Sequence, residues 1–229
     1  MMRGKREGKP AEPGGPRHET RSTRPGEASV SKGPRRPGGR FAGAPSHVRI
    51  IGGRWKRTPL AVVDAPGLRP SPDRVRETVF NWLAHLIPDL SSVSGLDLFS
   101  GTGALGFELA SRGAAHVTLV ERNPALEAQL QLAKRKLGAD AVTIVRGDAL
   151  AFARSAREQS FDVVFLDPPF DSELLGPALG AVARLVSTDG LVYAESGAPL
   201  DEESAAACGL RIVRAGRAGH VHFHLLQRA

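Results

Sequence analysis

Leu96-Asp97-Leu98-Phe99-Ser100-Gly101-Thr102-Gly103-Ala104-Leu105-Gly106 is the stretch on which the fold turns. Leu96 to Phe99 reads as a buried strand, and the glycines that follow read as a tight turn opening a helix. Glycine lets a backbone approach a ligand closely. In open α/β sheets, ligands sit beyond the carboxyl ends of the strands, at the switch point. Residues 101–106 also spell G-x-G-x-x-G, the dinucleotide fingerprint, which says little without its context. An NAD-dependent oxidoreductase therefore stays open at this point.

Downstream, strand patterns fall at 117–120, 142–145, 163–166, 191–194, 210–213 and 221–226. Helical patterns fall at about 103–112, 124–137, 148–157, 172–187 and 200–207. Strands separated by helices of this length imply βαβ units and a mostly parallel sheet with helices on both faces. Only Ala215 to Gly219 separates the last two strands, too short for a crossover, so they form an antiparallel hairpin. The expectation is an α/β domain over 91–229 with a seven-stranded, mostly parallel sheet.

Upstream, Val48–Ile51 and Pro59–Val63 flank Gly52-Gly53-Arg54-Trp55-Lys56-Arg57, two short strands joined by a basic turn. Ser71 is placed to cap a helix with Pro72 at its first position, running through Val75, Val79, Phe80 and Leu83 to Pro88. Residues 47–90 thus form a small hairpin-plus-helix extension. Residues 1–46 hold 11 Lys/Arg against 4 Asp/Glu and few aliphatics, while the remainder holds 20 of each, so the net charge of +7 belongs to the tail. Such a segment cannot bury enough apolar surface to offset its ordering entropy and is expected to be disordered, a basic arm suited to phosphates.

Two acids end the next strands. Glu121, followed by Arg122, is placed to accept from ribose hydroxyls, a device shared by NAD enzymes and methyltransferases. Asp148, followed by Ala149, is placed to accept from an adenine amine or to cap a helix. Asp97 lies inside a strand, where an unpaired acid is costly. It reads as a partner for loop amides or for a ligand's ammonium group. With Phe99, Ser100, Gly101, Thr102 and Gly103, and with Asp167 at the end of a later strand, these residues make up the expected cofactor site.

The strand Phe161–Leu166 ends in Asp167-Pro168-Pro169-Phe170. Prolines stiffen a turn, lack N–H donors and leave their carbonyls as acceptors. With the Asp167 carboxylate they form an acceptor cluster, and Phe170 adds a flat apolar face. That set suits an exocyclic amine of a nucleobase. Its lone pair is delocalised into the ring until acceptors on both N–H bonds turn it outward, and an aromatic face fixes the base plane. Positioning and electrostatics then carry an in-line attack on a sulfonium methyl, with no metal.

LDLFSGTGALGFE, Glu121, Asp148 and DPPF resemble class I, Rossmann-like S-adenosyl-L-methionine-dependent methyltransferases acting on base amines. VRIIGGRWKRTPL with GLRPSPDRVRETVFNWL, and the closing AGHVHFHLL, narrow the resemblance to bacterial 16S ribosomal RNA guanine-N2 methyltransferases of the RsmD type, over about residues 47 to 226. The resemblance implies methyl transfer to N2 of one guanine in 16S rRNA, free or within the small ribosomal subunit or an assembly intermediate, leaving S-adenosyl-L-homocysteine. It also implies that the 47–90 region helps to close the site. Adenine-N6 enzymes share the chemistry and remain the nearest alternative. Arg49, Arg54, Lys56, Arg57, Arg69, Arg74 and Arg76 are the expected phosphate contacts.

His220, His222 and His224 alternate along the last strand; they read as the polar face of a terminal strand rather than a metal site. The single cysteine, Cys208, excludes an internal disulfide. No apolar run reaches membrane-spanning length and no apolar secretory core is present, so a cytoplasmic, soluble protein, taken as monomeric, is expected.

Overall fold

The computed structural model describes residues 47–63, 68, 70–170 and 172–229. The basic tail and Arg69 lie outside them. A seven-stranded sheet has the order β5-β4-β3-β6-β7-β9-β8. Its strands are β3 (Ser94–Asp97), β4 (His116–Glu121), β5 (Val142–Arg146), β6 (Phe161–Leu166), β7 (Val186–Ser196), β8 (Leu210–Ala218) and β9 (Val221–Arg228). The five strands from β5 to β7 run parallel, and β9 pairs antiparallel with both β7 and β8. The chain winds outward from β3 through β4 to β5, then returns to β6 on the other side of β3. That reversal puts the switch point between β3 and β6, beside the glycine loop and DPPF.

Alternation along the strands divides the core. Val163, Phe165, Leu191 and Tyr193 face one side, Val164, Leu166, Val192 and Ala194 the other, all at most 2% exposed. The first side is covered by α1 (Asp73–Leu86), α2 (Ala104–Ser111) and α3 (Pro124–Leu137). The second is covered by α4 (Ala149–Ser155), α5 (Leu175–Ala183) and α6 (Glu202–Ala207). In α1 the residues Val75, Val79, Phe80 and Leu83 recur at helical spacing and are buried. Phe80 meets Phe165 with ring centroids 5.8 Å apart, and the Arg112 guanidinium lies 4.8 Å over the Phe80 ring.

The hairpin of β1 (His47–Arg49) and β2 (Pro59–Ala61) forms its own two-stranded sheet and is fastened to α2 by polar bonds. Glu108, fully buried, accepts from the amides of Ile51 at 2.6 Å and Gly52 at 2.8 Å. Its charge is balanced by Arg112 at 2.8 Å and Arg76 at 3.8 Å. Ser111 Oγ donates to Gly52 O and accepts from Trp55 N, while Ser111 O accepts from Arg54 N.

Three expectations change here. Ser71 is not the cap of α1; Pro72 holds that position, and the Ser71 hydroxyl is engaged elsewhere. The histidines do not line a terminal strand's free face. The edge strand is β8, and β9 lies between β7 and β8, so His224 is buried with Nε2 accepting from Leu200 N at 3.2 Å. The final turn is shorter than expected, since β8 continues to Ala218 and only Gly219-His220 separate it from β9. Among the described residues no cluster fit for a metal is found, and no helix is long and apolar enough to cross a membrane.

Candidate active site

The glycine loop leaves β3 and enters α2 in one turn. Gly101 (φ 51°) and Gly103 (φ 76°) both adopt the left-handed region that favours glycine. The loop is held from behind. Ser100 N donates to Val120 O at 3.1 Å, and Ser100 Oγ donates to Asp97 O at 2.8 Å. Glu121, at the end of β4, accepts from Gly101 N at 2.9 Å through Oε2 and from Asn123 N at 2.7 Å through Oε1. Glu121 is 8% exposed, and its two bonds tie the loop to the end of β4.

Asp97 accepts from Gly106 N, in the first turn of α2, at 3.0 Å. Of the two partners proposed for it, the loop amide is present, and the bond places an acid at the helix's positive end. Burial raises its carboxyl to about 7, the Gly106 amide opposes the rise, and the Glu121 charge adds to it. Asp148 caps α4, accepting from Ala151 N at 2.8 Å, and is exposed. Of the remaining expected residues, Phe99 and Thr102 are half-buried, Ala149 is buried and Arg122 is exposed.

Asp167 follows β6 directly, its carboxyl turned toward Ser71. Pro168 is buried, whereas Pro169 and Phe170 are exposed. The two proline carbonyls are not equivalent. Pro169 O already accepts from Ser172 N at 3.0 Å and from Ser172 Oγ at 2.5 Å. Among the described residues no donor engages Pro168 O, so the acceptor pair left for an amine is Asp167 with Pro168. Phe170 is 41% exposed, its ring free for a planar partner.

Residues not anticipated from sequence complete the site. Ser71 Oγ lies 3.2 Å from Asp167 Oδ2 and 2.5 Å from Glu195 Oε1, and the Tyr193 hydroxyl donates to that same Glu195 oxygen at 2.8 Å. Burial and the neighbouring Glu195 charge push the Asp167 carboxyl well above the usual carboxylate range. Burial also raises Glu195, while Ser71, Tyr193 and Arg76 hold it down. An acid at the end of the apolar strand Leu191–Ala194 was the available signal for Glu195. It is the same argument that singled out Asp97. On the glycine side, Leu68 lies over the loop: a Cβ on Gly101 would meet Leu68 Cδ1 at 2.8 Å. The segment before α1 thus touches both halves of the site.

The basic residues separate. Arg54, Lys56, Arg57 and Arg74 are exposed. Arg49 is exposed and pairs with Asp73 at 2.7 Å. Arg76 is withdrawn: fully buried, it bonds Asp73 at 2.6 Å and Ser71 O at 3.3 Å, so its guanidinium is not offered to a phosphate. The hairpin turn packs on Ser111, the end of α2 away from the glycine loop, about 12 Å along the helix.

The family described as Conserved hypothetical protein 95 matches residues 48–227. Ribosomal RNA small subunit methyltransferase D of Escherichia coli K12 is 42% identical over 151 residues, 65% of this chain and 74% of that protein. Its Haemophilus influenzae namesake is 38% identical over 158 residues, 67% of this chain and 80% of that protein. The solved structure of yhhF from Escherichia coli superposes with a TM-score of 0.68 at 37% identity, covering 80% of this chain and 98% of that one. With DPPF beside the glycine loop, the NAD reading falls away, and this chain belongs to the Conserved hypothetical protein 95 (RsmD) family of methyltransferases.

Proposed function

We propose that this chain transfers a methyl group from S-adenosyl-L-methionine to the exocyclic N2 amine of a guanine in 16S rRNA, in the cytoplasm. The observation that carries the chemistry is the Asp167 carboxyl beside the unengaged Pro168 carbonyl, with exposed Phe170 adjacent, across the switch point from the glycine loop. The relatives named as small-subunit methyltransferases support the RNA, and the resemblance of residues 48–60 and 67–83 to guanine-N2 enzymes points to guanine.

The residues fit the cofactor. Left-handed glycines bring the backbone close, Glu121 stands where ribose hydroxyls would donate, and Asp97 offers a carboxylate to an ammonium group. Asp148 caps α4 through one oxygen and would hold the adenine amine with the other. Phe99, Ser100, Thr102, Arg122 and Ala149, next to these groups in sequence, would complete the cofactor site. When bound, S-adenosyl-L-methionine supplies an electrophilic sulfonium methyl. Asp167 and Pro168 hold the two N–H bonds of the amine, Phe170 stacks on the base, and the nitrogen lone pair is aimed outward. Arg49, Arg54, Lys56, Arg57 and Arg74 are exposed and are offered as the phosphate contacts, Arg49 from its pairing with Asp73 at the start of α1. A paired guanine would have to be flipped into this site.

Incubating small subunits and naked rRNA, both lacking the modification, with the enzyme and labelled S-adenosyl-L-methionine tests the reading. Nucleoside analysis should give N2-methylguanosine. N6-methyladenosine would replace guanine by adenine, and no labelled nucleoside would overturn the proposal.

A further inference from the structure

Behind Asp167 runs a buried chain of oxygen contacts: Asp167 Oδ2 to Ser71 Oγ, Ser71 Oγ to Glu195 Oε1, and Tyr193 Oη to the same Glu195 oxygen. Ser71 is 6% exposed, Glu195 2% and Tyr193 0%. A serine hydroxyl carries one proton. The 2.5 Å contact to Glu195 is the length of an O–H donating to a carboxylate. Glu195 Oε1 takes a second donor from Tyr193 and feels the Arg76 charge. Glu195 is therefore the ionised member. With the Ser71 proton committed to Glu195, the longer contact to Asp167 needs a proton supplied by Asp167 itself.

We propose that Glu195 is a positioning residue for methyl transfer: acting across Ser71, it keeps a proton on Asp167 in the free site and makes the ionised Asp167 a stronger acceptor for the amine's proton. This rests on the reading of Asp167 as the amine's partner. Incoming substrate displaces the stored proton to solvent. The N–CH3 bond then forms as the S–CH3 bond breaks, the leaving N–H proton passes to Asp167, and S-adenosyl-L-homocysteine and the methylated amine depart. Two like charges held close in a dry site resist joint ionisation. Among the groups facing Asp167, the charges of Glu195 from β7 and Asp97 from β3 disfavour its ionisation; the Ser71 hydroxyl would favour it, but its one proton is given to Glu195; and Arg76 from α1 acts on Glu195 and is engaged by Asp73 and Glu108.

The test is the pH profile of single-turnover methylation of unmodified small subunits by the full chain. Glu195→Gln should move the acidic limb to lower pH by about one unit, a tenfold loss of proton affinity, and lower the plateau. Ser71→Ala should move it the same way and Ser71→Thr should restore it. A merely structural role would change rate or KM and leave the limb in place, which would overturn the proposal. Should Glu195→Gln not fold, carboxyl NMR of the wild type decides. The resonance missing from Asp167→Asn must titrate above exposed aspartates, and titration within their range also overturns the pairing. Failure of the wild type to methylate would instead remove the functional reading, while the NMR titration would still judge the pair.

Discussion

Replacing Asp97 by Asn should exchange cofactor affinity for stability. Asp97 is 2% exposed and bonded to Gly106 N, and burial raises its carboxyl from 3.8 to about 7. At about 1.36 kcal/mol per pH unit, keeping the carboxylate buried costs the fold about 4 kcal/mol. The sign follows from proton counting. Between about pH 4 and 7 the unfolded chain has lost this proton and the folded chain keeps it, so stability falls as pH rises and levels off above 7. Asn carries no such proton, and the Asp97 charge is the smallest of the influences on the other raised acid it reaches, Asp167. From pH 5 to 8, urea unfolding should show the wild type losing about 3 kcal/mol relative to Asp97→Asn. On the proposed contact the cofactor would reverse the balance, because an ammonium group beside Asp97 would need the ionised carboxylate. S-adenosyl-L-homocysteine, which carries the same group, should bind the wild type more tightly at pH 8 than at pH 6, releasing a proton at pH 6. Asp97→Asn should lose that pH dependence and bind about 30-fold more weakly, the equivalent of about 2 kcal/mol. Parallel stability profiles, together with equal affinities by calorimetry, would refute this account of Asp97.

Asp167→Ala should abolish methyl transfer and leave S-adenosyl-L-homocysteine affinity within a few-fold of wild type, measured by radiolabel transfer and calorimetry. Gly103→Ala forces a Cβ to 2.6 Å from Leu130 Cδ2 and 2.7 Å from Phe107 Cδ2 at φ 76°, and should cost about 2–4 kcal/mol in urea unfolding. Glu108→Gln leaves one acceptor oxygen for two hairpin amides and removes the buried charge that faces Arg112 and Arg76; a loss of about 3–5 kcal/mol is expected by the same assay. Removing residues 1–46 should leave a cooperative melt, checked by calorimetric scanning.

The glycine loop, DPPF and the acids ending β4 and β5 were legible because each is local: a strand's end, a turn's residues and the next helix cap occupy consecutive positions. The antiparallel close of the sheet followed from the length of one gap. What pattern could not supply is which residues meet across elements. Ser71 reads as a helix cap in its own neighbourhood, yet its partners lie 96 and 124 residues away. Arg76 reads as one more cation in a basic stretch, but its position in α1 turns it inward onto Glu108 and Asp73. His224 matches an exposed alternation until β8 adds outside β9 and buries it. The two proline carbonyls look alike until Ser172 occupies one.

Glu108 also bears on how this scaffold can be re-engineered. One carboxylate grips the backbone of the hairpin and two arginines, one from α1 and one just past the end of α2, so the hairpin cannot be grafted as a cassette. A hairpin moved onto another glycine-loop domain would arrive with its amides unmatched unless Glu108, Ser111, Arg112 and Arg76 travelled with it. Variation is therefore most economical at the exposed side chains of the turn, Arg54, Lys56 and Arg57, which can change while the backbone beneath them stays bolted down.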